Sequence, residues 1–291
     1  MNFFLIKFIR SLLQLPIYLL DFILALYSRI LIFIDPNASE SKLEEVYLKR
    51  VFKKINSNLK INNKIFYTPK LKKDIGFLTP TKILSLRAKT IYSKEPETIK
   101  WIDKFGSKNK VFFDIGANSG TYSIYYAKLY NNRVYSFEPQ YQNCVFINEN
   151  SKLNNLEKNI VIIPTPLLND ERVCKLRTHN TFLPGTANAT IFNLKGYSKR
   201  YDKIFYNTLT FSIDHLVKNK IVPVPNLIKI DVDGNEPEII LGGMKTLNNK
   251  NCTSVLVETR HATHKKVMRL LGLCKFIMFN KEKNNFFFKK I

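Results

Sequence analysis

Two short runs of this sequence combine glycines with carboxylates, and each run follows an apolar segment. The first extends from Asp114 to Gly120 and the second from Asp231 to Gly234. Glycine lets the backbone turn sharply and come close to a ligand. The leading Asp of the first run would repel a diphosphate but attract a positive group. The first run therefore favours a cationic ligand over the dinucleotides that similar glycine-rich turns bind.

A third carboxylate, Glu138, ends the next apolar segment, 24 residues after Asp114. An acid at this place in a nucleotide-binding α/β fold accepts hydrogen bonds from ribose hydroxyls. S-adenosylmethionine has both a ribose and positive charges, and the sequence therefore predicts it as the cofactor. Its predicted ligands are Asp114, Gly116, Ala117, Asn118, Gly120, Glu138 and Asp231.

Transfer of a methyl group to a hydroxyl also needs a side chain that accepts the hydroxyl proton. The candidates for this base are Asp231 and Asp233, followed by His179 and His261. Asp231 is equally well suited to holding the cofactor, and Asp233 with Gly234 also suits a plain turn. No metal is predicted, because no Cys, Asp or Glu near His261 completes a set of ligands.

The elements that must position these residues alternate along the chain. Apolar segments of strand length precede the glycine-containing runs, and segments with helical spacing follow them. The predicted strands are 110–115, 133–137, 159–163, 173–177, 227–231, 254–258, 275–279 and 285–289. The predicted helices are 121–130, 141–151, 235–247 and 263–271, and residues 178–208 are expected to be irregular.

Strands that alternate with helices predict an α/β fold with a Rossmann-like, doubly wound and mostly parallel sheet. The last two strands are expected to form a C-terminal antiparallel hairpin. Ligands of such sheets bind beyond the carboxyl ends of the strands. Four carboxylates fall at these ends: Asp114, Glu138, Asp231 and Glu258. Together they predict a site for cationic or hydroxyl-bearing ligands, although each alone could cap the helix that follows it.

The motifs resemble those of the FkbM family of methyltransferases. They are VFFDIGANSGTYS at 111–123, SFEP at 136–139, KIDVDGNE at 229–236 and LVE at 256–258. The resemblance covers about residues 87–258 and includes a lead-in at 94–102. It implies a Class I methyltransferase fold and methylation that depends on S-adenosylmethionine, often of a sugar hydroxyl. It also implies the cofactor ligands given above, with Asp231 at the reacting end. The acceptor is therefore expected to be a hydroxyl-bearing glycan, glycolipid or small metabolite.

The N-terminal part has features of a membrane-binding segment. Residues 11–34 are apolar over a length that could cross a bilayer. Polar residues recur every seven positions from Lys7 to Ser28, which predicts a helix lying in the membrane interface. Nine basic and no acidic residues then occupy 49–73, where they would attract anionic lipid. Residues 1–73 are thus expected to bind an anionic surface on the cytoplasmic face of the membrane, with a transmembrane span or a helix packed on the protein's own core as alternatives.

The length and the charge of the chain bear on its division into segments and on alternative functions. The 291 residues are divided into a membrane-associating helix (1–38), a basic helical lead-in (39–109) and a methyltransferase domain (110–291). The net charge of +23 would also suit an RNA methyltransferase, but no separate RNA-binding module is recognisable and nucleic acid is not expected as a partner. A second alternative is a membrane-associated protein that binds a ligand without catalysis.

Overall fold

The computed structural model describes residues 65–68, 75–178, 184–186, 190–191 and 204–291. The predicted membrane-associating helix, most of the basic stretch 49–73 and His179 lie outside these residues. Within the described ranges, the helices are too short or too polar to cross a bilayer.

The strands form three sheets. In chain order they are β1 (Ile65–Tyr67), β2 (Gly76–Leu78), β3 (Phe112–Ile115), β4 (Val134–Phe137), β5 (Ile160–Ile163), β6 (Arg172–Thr178), β7 (Thr190–Ile191), β8 (Ile204–Thr210), β9 (Leu227–Asp231), β10 (Ser254–Glu258), β11 (Phe276–Glu282) and β12 (Asn285–Lys290). The central sheet has seven strands in the order β11-β12-β10-β9-β3-β4-β5. The strands from β10 to β5 in this order are parallel, whereas β12 is antiparallel to both of its neighbours. The predicted doubly wound sheet with a C-terminal hairpin is confirmed.

Helices cover both faces of the central sheet. They are α1 (Lys82–Lys89), α2 (Pro96–Phe105), α3 (Thr121–Tyr130), α4 (Tyr141–Leu153), α5 (Ile213–Lys218), α6 (Glu236–Leu241), α7 (Met244–Asn248) and α8 (His261–Leu273). Apolar residues of α1 to α4 form one core cluster with the sheet, and those of α5 to α8 form the other. Since each central strand is buried on both faces, its sequence is apolar throughout, apart from the polar residues that build the site.

The lead-in at 94–102 packs into the core of the central sheet. Ile99, Trp101 and Ile102 of α2 are buried in the cluster that also contains Phe112 of β3. The Trp101 indole N–H donates a hydrogen bond of 2.8 Å to the Ser254 hydroxyl of β10. Helix α2 is therefore anchored to the central sheet, and its N-terminus is held close to the carboxyl ends of the strands.

Three segments differ from the sequence-based expectation. The lead-in expected to be helical over 39–109 contains strands β1 and β2, which pair as a two-stranded antiparallel sheet. Residues 204–208 were expected to be irregular, but they belong to β8, which pairs with β6 in an inserted antiparallel sheet whose third strand, β7, pairs with the other edge of β6. The helix expected over 235–247 is two helices, α6 and α7, that meet at Gly242 and Gly243. A Cβ at Gly242 would lie 2.1 Å from the Leu168 carbonyl oxygen, so only glycine permits this approach of the backbone.

Candidate active site

The glycine-rich turn after β3 forms one side of the site. Gly116, Asn118 and Gly120 have φ angles of 80°, 51° and 79°, which are left-handed conformations that suit glycine and asparagine. A Cβ at Gly116 would lie 2.0 Å from the Asp231 carbonyl oxygen. The turn therefore passes directly beside the end of β9, and α3 begins immediately after it at Thr121.

Glu138, at the end of β4, holds this turn in place. Its Oε2 accepts a hydrogen bond of 2.7 Å from the Asn118 backbone N–H, and its Oε1 accepts one of 2.9 Å from the Gln140 N–H. The Asn143 side chain donates a further bond of 3.3 Å. Burial nevertheless raises the pKa of Glu138 to about 7, because none of these donors brings a positive charge. Sequence reasoning predicted Glu138 as a ribose ligand and missed its role in shaping the turn.

The segment 184–186 lies against the same turn. The Asn118 side chain donates to the Thr186 carbonyl at 2.9 Å, and the Gly185 N–H donates to the Asn143 side chain at 2.8 Å. The Tyr206 hydroxyl of β8 donates to the Pro139 carbonyl at 2.7 Å. The inserted sheet and its connections thus cover the Glu138 end of the site.

A shallow cleft lies beside the turn, on the face of the sheet that α5 to α8 cover, and its space of about 360 Å³ includes open solvent. Its lining is mostly apolar and includes Gly116, Pro139 and Val232. Asn235 also lines it, and its Oδ1 is buried without a hydrogen-bond partner in the described part of the chain. A buried acceptor without a partner is suited to a hydrogen bond from a ligand or from water. A single Asn in a turn carries no sequence signal of a ligand-binding role, and Asn235 was therefore not among the predicted site residues.

A buried lysine dominates the end of β9. The Lys229 side chain is only 2% exposed, and its Nζ lies 2.6 Å from Asp231 Oδ2 and 5.0 Å from the centre of the Tyr122 ring. Burial opposes its charge, but the negative charges of Asp231, Asp114 and Glu95 raise its pKa above the ordinary value. Lys229 in turn lowers the pKa of Asp231 against the effect of burial. Asp231 is therefore an ionised carboxylate at neutral pH.

Glu95 and Asp114 complete the surroundings of this lysine. Glu95 precedes α2 and accepts a hydrogen bond of 2.9 Å from the Tyr122 hydroxyl. Asp114 is fully buried and accepts a bond of 2.6 Å from the Ser123 hydroxyl through Oδ2, while its Oδ1 has no partner among the described residues. Burial raises the pKa of Asp114, and Lys229 opposes that rise.

Glu258 stands beside Asp231 on the neighbouring strand. The two residues are register partners of the parallel strands β10 and β9, and their carboxyl groups share a hydrogen bond. The negative charge of Asp231, together with burial, raises the pKa of Glu258 to about 8. A hydrogen bond between two carboxyl groups requires a proton, and the pKa values place that proton on Glu258 at neutral pH.

The other predicted base candidates are placed differently. Asp233 Oδ1 forms an ion pair of 2.6 Å with Arg260, which neutralises it at the rim of the site. His261 begins α8, 6.4 Å from the ring of His264, and His264 stacks on Phe286. In the ranges that the structure describes, these residues join no group of three metal-ligating side chains.

The residues present fit S-adenosylmethionine. The ionised Asp231 carries negative charge at the carboxyl end of β9, which suits the sulfonium and ammonium groups of this cofactor. The positive φ angles of Gly116 and Gly120 shape a tight turn that passes beside the end of β9, and Asn235 offers an acceptor in an apolar cleft. The predicted ligands lie at the carboxyl ends of three parallel strands of the central sheet. Residues 114–120 end β3 and form the turn after it, Glu138 follows β4, and Asp231 ends β9.

Comparison with known proteins gives a family match over more than half of the chain. The model of the methyltransferase FkbM domain matches residues 114–281. The hexuronic acid methyltransferase AglP of Haloferax volcanii is 26% identical over an alignment of 194 positions, and the match covers 62% of this chain and 69% of that protein.

Solved structures give more distant similarities. An FkbM methyltransferase of Methylobacillus flagellatus is 14% identical with a TM-score of 0.44, over 71% of this chain and 53% of that one. The chain thus spans about half the length of that protein. TrmK of M. capricolum, solved with S-adenosylhomocysteine, is 10% identical with a TM-score of 0.37, over 66% of each chain.

Proposed function

We propose that this chain, which belongs to the FkbM methyltransferase family and uses S-adenosylmethionine, methylates a hydroxyl of a sugar in a glycan, glycolipid or related metabolite. The observation that supports an oxygen acceptor is the carboxyl pair Asp231–Glu258 beside the glycine-rich turn. A sugar hydroxyl is a weak nucleophile until a base takes its proton, and a carboxylate is suited to that task. The similarity to a hexuronic acid methyltransferase supports a sugar as the acceptor.

The residues of the site divide this task between them. When bound, the cofactor supplies a methyl group activated by its sulfonium. Asp231 and Asp114 attract and orient that positive charge, Glu138 holds the turn against the ribose, and Lys229 keeps Asp231 ionised. The carboxyl row at the ends of β9 and β10 receives the acceptor hydroxyl. The enzyme thereby aligns two reactants, which is the main requirement for a displacement at carbon.

The proposal is tested by incubating the full chain with S-adenosylmethionine and a panel of acceptors, with detection of methylated products by mass spectrometry. The panel contains hexuronic acids, neutral hexoses and an RNA pool. Methylation of a sugar is the expected result, and a hexuronic acid is the first candidate. Methylation of RNA alone contradicts the proposal. The absence of methylation on every sugar of the panel contradicts it as well.

Membrane association through residues 1–73 is a separate part of the proposal, supported by the polar stripe and the nine basic residues of 49–73. The full chain is expected to float with vesicles that contain anionic lipid and to float less with neutral vesicles. Added salt should reduce binding without abolishing it, because salt screens the charges but not the apolar contact. A variant with Gln at the nine basic positions serves as the control. Binding that resists both salt and carbonate would indicate a transmembrane span, and no flotation would indicate that the segment packs on its own domain.

A further inference from the structure

A row of three polar residues crosses the carboxyl edge of the central sheet. Asp231, Glu258 and Asn285 are register partners on the adjacent strands β9, β10 and β12. Register partners point to the same face of a sheet, so their side chains form one line. Two residues further from the edge on each strand, Lys229, Leu256 and Phe287 form the next line on that face. The polar row therefore starts beside the glycine-rich turn and leads away from it.

Asn285 adds a buried acceptor to this row. The residue is 8% exposed, and its Oδ1 has no hydrogen-bond partner among the described residues. A buried acceptor without a partner is costly, and such atoms in folded proteins usually bind a ligand or water. Asn285 is adjacent to Glu258, so a molecule with two neighbouring hydroxyls could donate one hydrogen bond to each of them.

Among the carboxylates near the turn, Glu258 has the properties of a base. Asp231 forms an ion pair with Lys229 at 2.6 Å, which stabilises its charge and makes it a weak proton acceptor. Asp233 is ion-paired with Arg260. Glu258 forms no such pair with a basic side chain in the described ion pairs, and it is partly exposed. Its pKa is raised to about 8, which is near the working range of a general base.

We propose that the Asp231–Glu258–Asn285 row binds the acceptor, with Glu258 as the catalytic residue that takes the proton of the reacting hydroxyl and Asn285 as the partner of a neighbouring hydroxyl. As the hydroxyl oxygen bonds to the methyl carbon, its proton passes to the ionised Glu258 carboxylate, and the electrons of the breaking carbon–sulfur bond remain on sulfur. This inference rests on the proposed methylation of a hydroxyl. Glu258 is an addition to the base candidates predicted from the sequence, and Asn285 is an additional residue for binding the acceptor.

The charges that face Glu258 come from several elements. Asp231 and Lys229 lie on β9, Glu95 precedes α2, and Asn285 on β12 is neutral. The carboxylates of Asp231 and Glu95 disfavour ionisation of Glu258, whereas Lys229 favours it. Because the ionised form is the active one, the reaction rate should rise with pH through about 8 and level off above it.

The first test needs no acceptor. The carboxyl carbons of the glutamates are labelled with ¹³C in the full chain, and their NMR signals are followed against pH. One signal that titrates near pH 8 and is missing from Glu258→Gln is the expected result. A Glu258 signal that titrates in the ordinary range of glutamate overturns the proposal, whichever acceptor the enzyme uses.

The second test uses the sugar that the wild type methylates. Glu258→Gln should lower kcat about 100-fold or more and remove its rise with pH, while S-adenosylmethionine binding by calorimetry stays within about twofold. Asn285→Ala should raise the acceptor KM about tenfold with little change in kcat. Glu238→Gln, which removes an exposed ion pair with Lys266, is the matched control. Retained kcat in a folded Glu258→Gln overturns the inference, whereas a wild type that methylates no sugar contradicts only the proposed function.

Discussion

The two ends of the candidate site hold their carboxylates in different ways. At the turn, Glu138 is surrounded by neutral N–H donors, and its pKa is raised to about 7. At the end of β9, Asp231 has a buried cation 2.6 Å away, and its pKa is lowered. Hydrogen bonds from neutral groups therefore offset only part of the cost of burying a charge, whereas Lys229 reverses it. In the proposed function, the Glu138 end holds the cofactor, and the end of β9 lies beside the residues that receive the acceptor.

Removal of the buried cation should have the largest effect. We expect Lys229→Met to lower the free energy of unfolding by ~3–5 kcal/mol at pH 7, because Asp231 and Asp114 would then lack their positive partner. Thermal and denaturant unfolding would measure it. Lys266→Met removes an exposed ion pair with Glu238 and should change stability by less than ~1 kcal/mol.

The pH dependence of this effect has a defined direction. Lys229 lowers the pKa of Asp231 in the folded protein, so the stability gained from that carboxylate is present at neutral pH and is lost as pH falls through the folded pKa. The difference between wild type and Lys229→Met should therefore shrink in acid. A double variant, Lys229→Met with Asp231→Asn, should recover part of the loss. Equal stability of wild type and Lys229→Met at pH 7 would remove the contrast between the two ends.

Cofactor binding should depend on the other end. Glu138→Ala is expected to weaken S-adenosylmethionine binding by ~2–3 kcal/mol, because the ribose loses an acceptor and the Asn118 N–H loses its partner. Calorimetry on the folded variant would measure it. Glu149→Ala, on the exposed side of α4, is the control. Unchanged affinity would exclude Glu138 from the cofactor site. Tighter binding of NADH than of S-adenosylmethionine would contradict the assignment of S-adenosylmethionine as the cofactor.

A smaller effect would sharpen the comparison. Glu236 resembles Glu138, since its donors are the Gly234 N–H at 2.8 Å and the Thr263 hydroxyl at 3.0 Å, and burial raises its pKa to about 7. A carboxyl whose pKa is higher in the folded state stabilises the protein fully below the unfolded pKa. That contribution is lost as pH rises through the folded value.

Glu236→Gln should therefore gain stability relative to wild type by ~2 kcal/mol as pH rises from about 4.5 to about 7. Chemical denaturation at several pH values would follow the difference. A difference that does not change with pH would show that neutral donors suffice to keep a buried carboxyl ionised, which would weaken the contrast drawn above.

The sequence alone determined the elements with regular local patterns. The helix predicted at 121–130 and the strands at 227–231 and 254–258 have the same bounds in the structure. Buried strands between helices are apolar over their whole length, and glycine-rich turns mark where they end, so these signals are local. The same motifs identified the glycine-rich turn, Glu138 and Asp231 as candidates for the site.

Tertiary structure decided which side chains meet. Lys229 has no sequence signal of burial, because lysine is normally exposed, and its carboxylate partners come from three separate elements. The pairing of Glu258 with Asp231 and Asn285 depends on strand register, which the order of the strands fixes. The break at Gly242 depends on the Leu168 backbone, 74 residues earlier in the chain. Contacts between residues far apart in sequence arise only when the whole sheet is assembled, and local patterns therefore do not encode them separately.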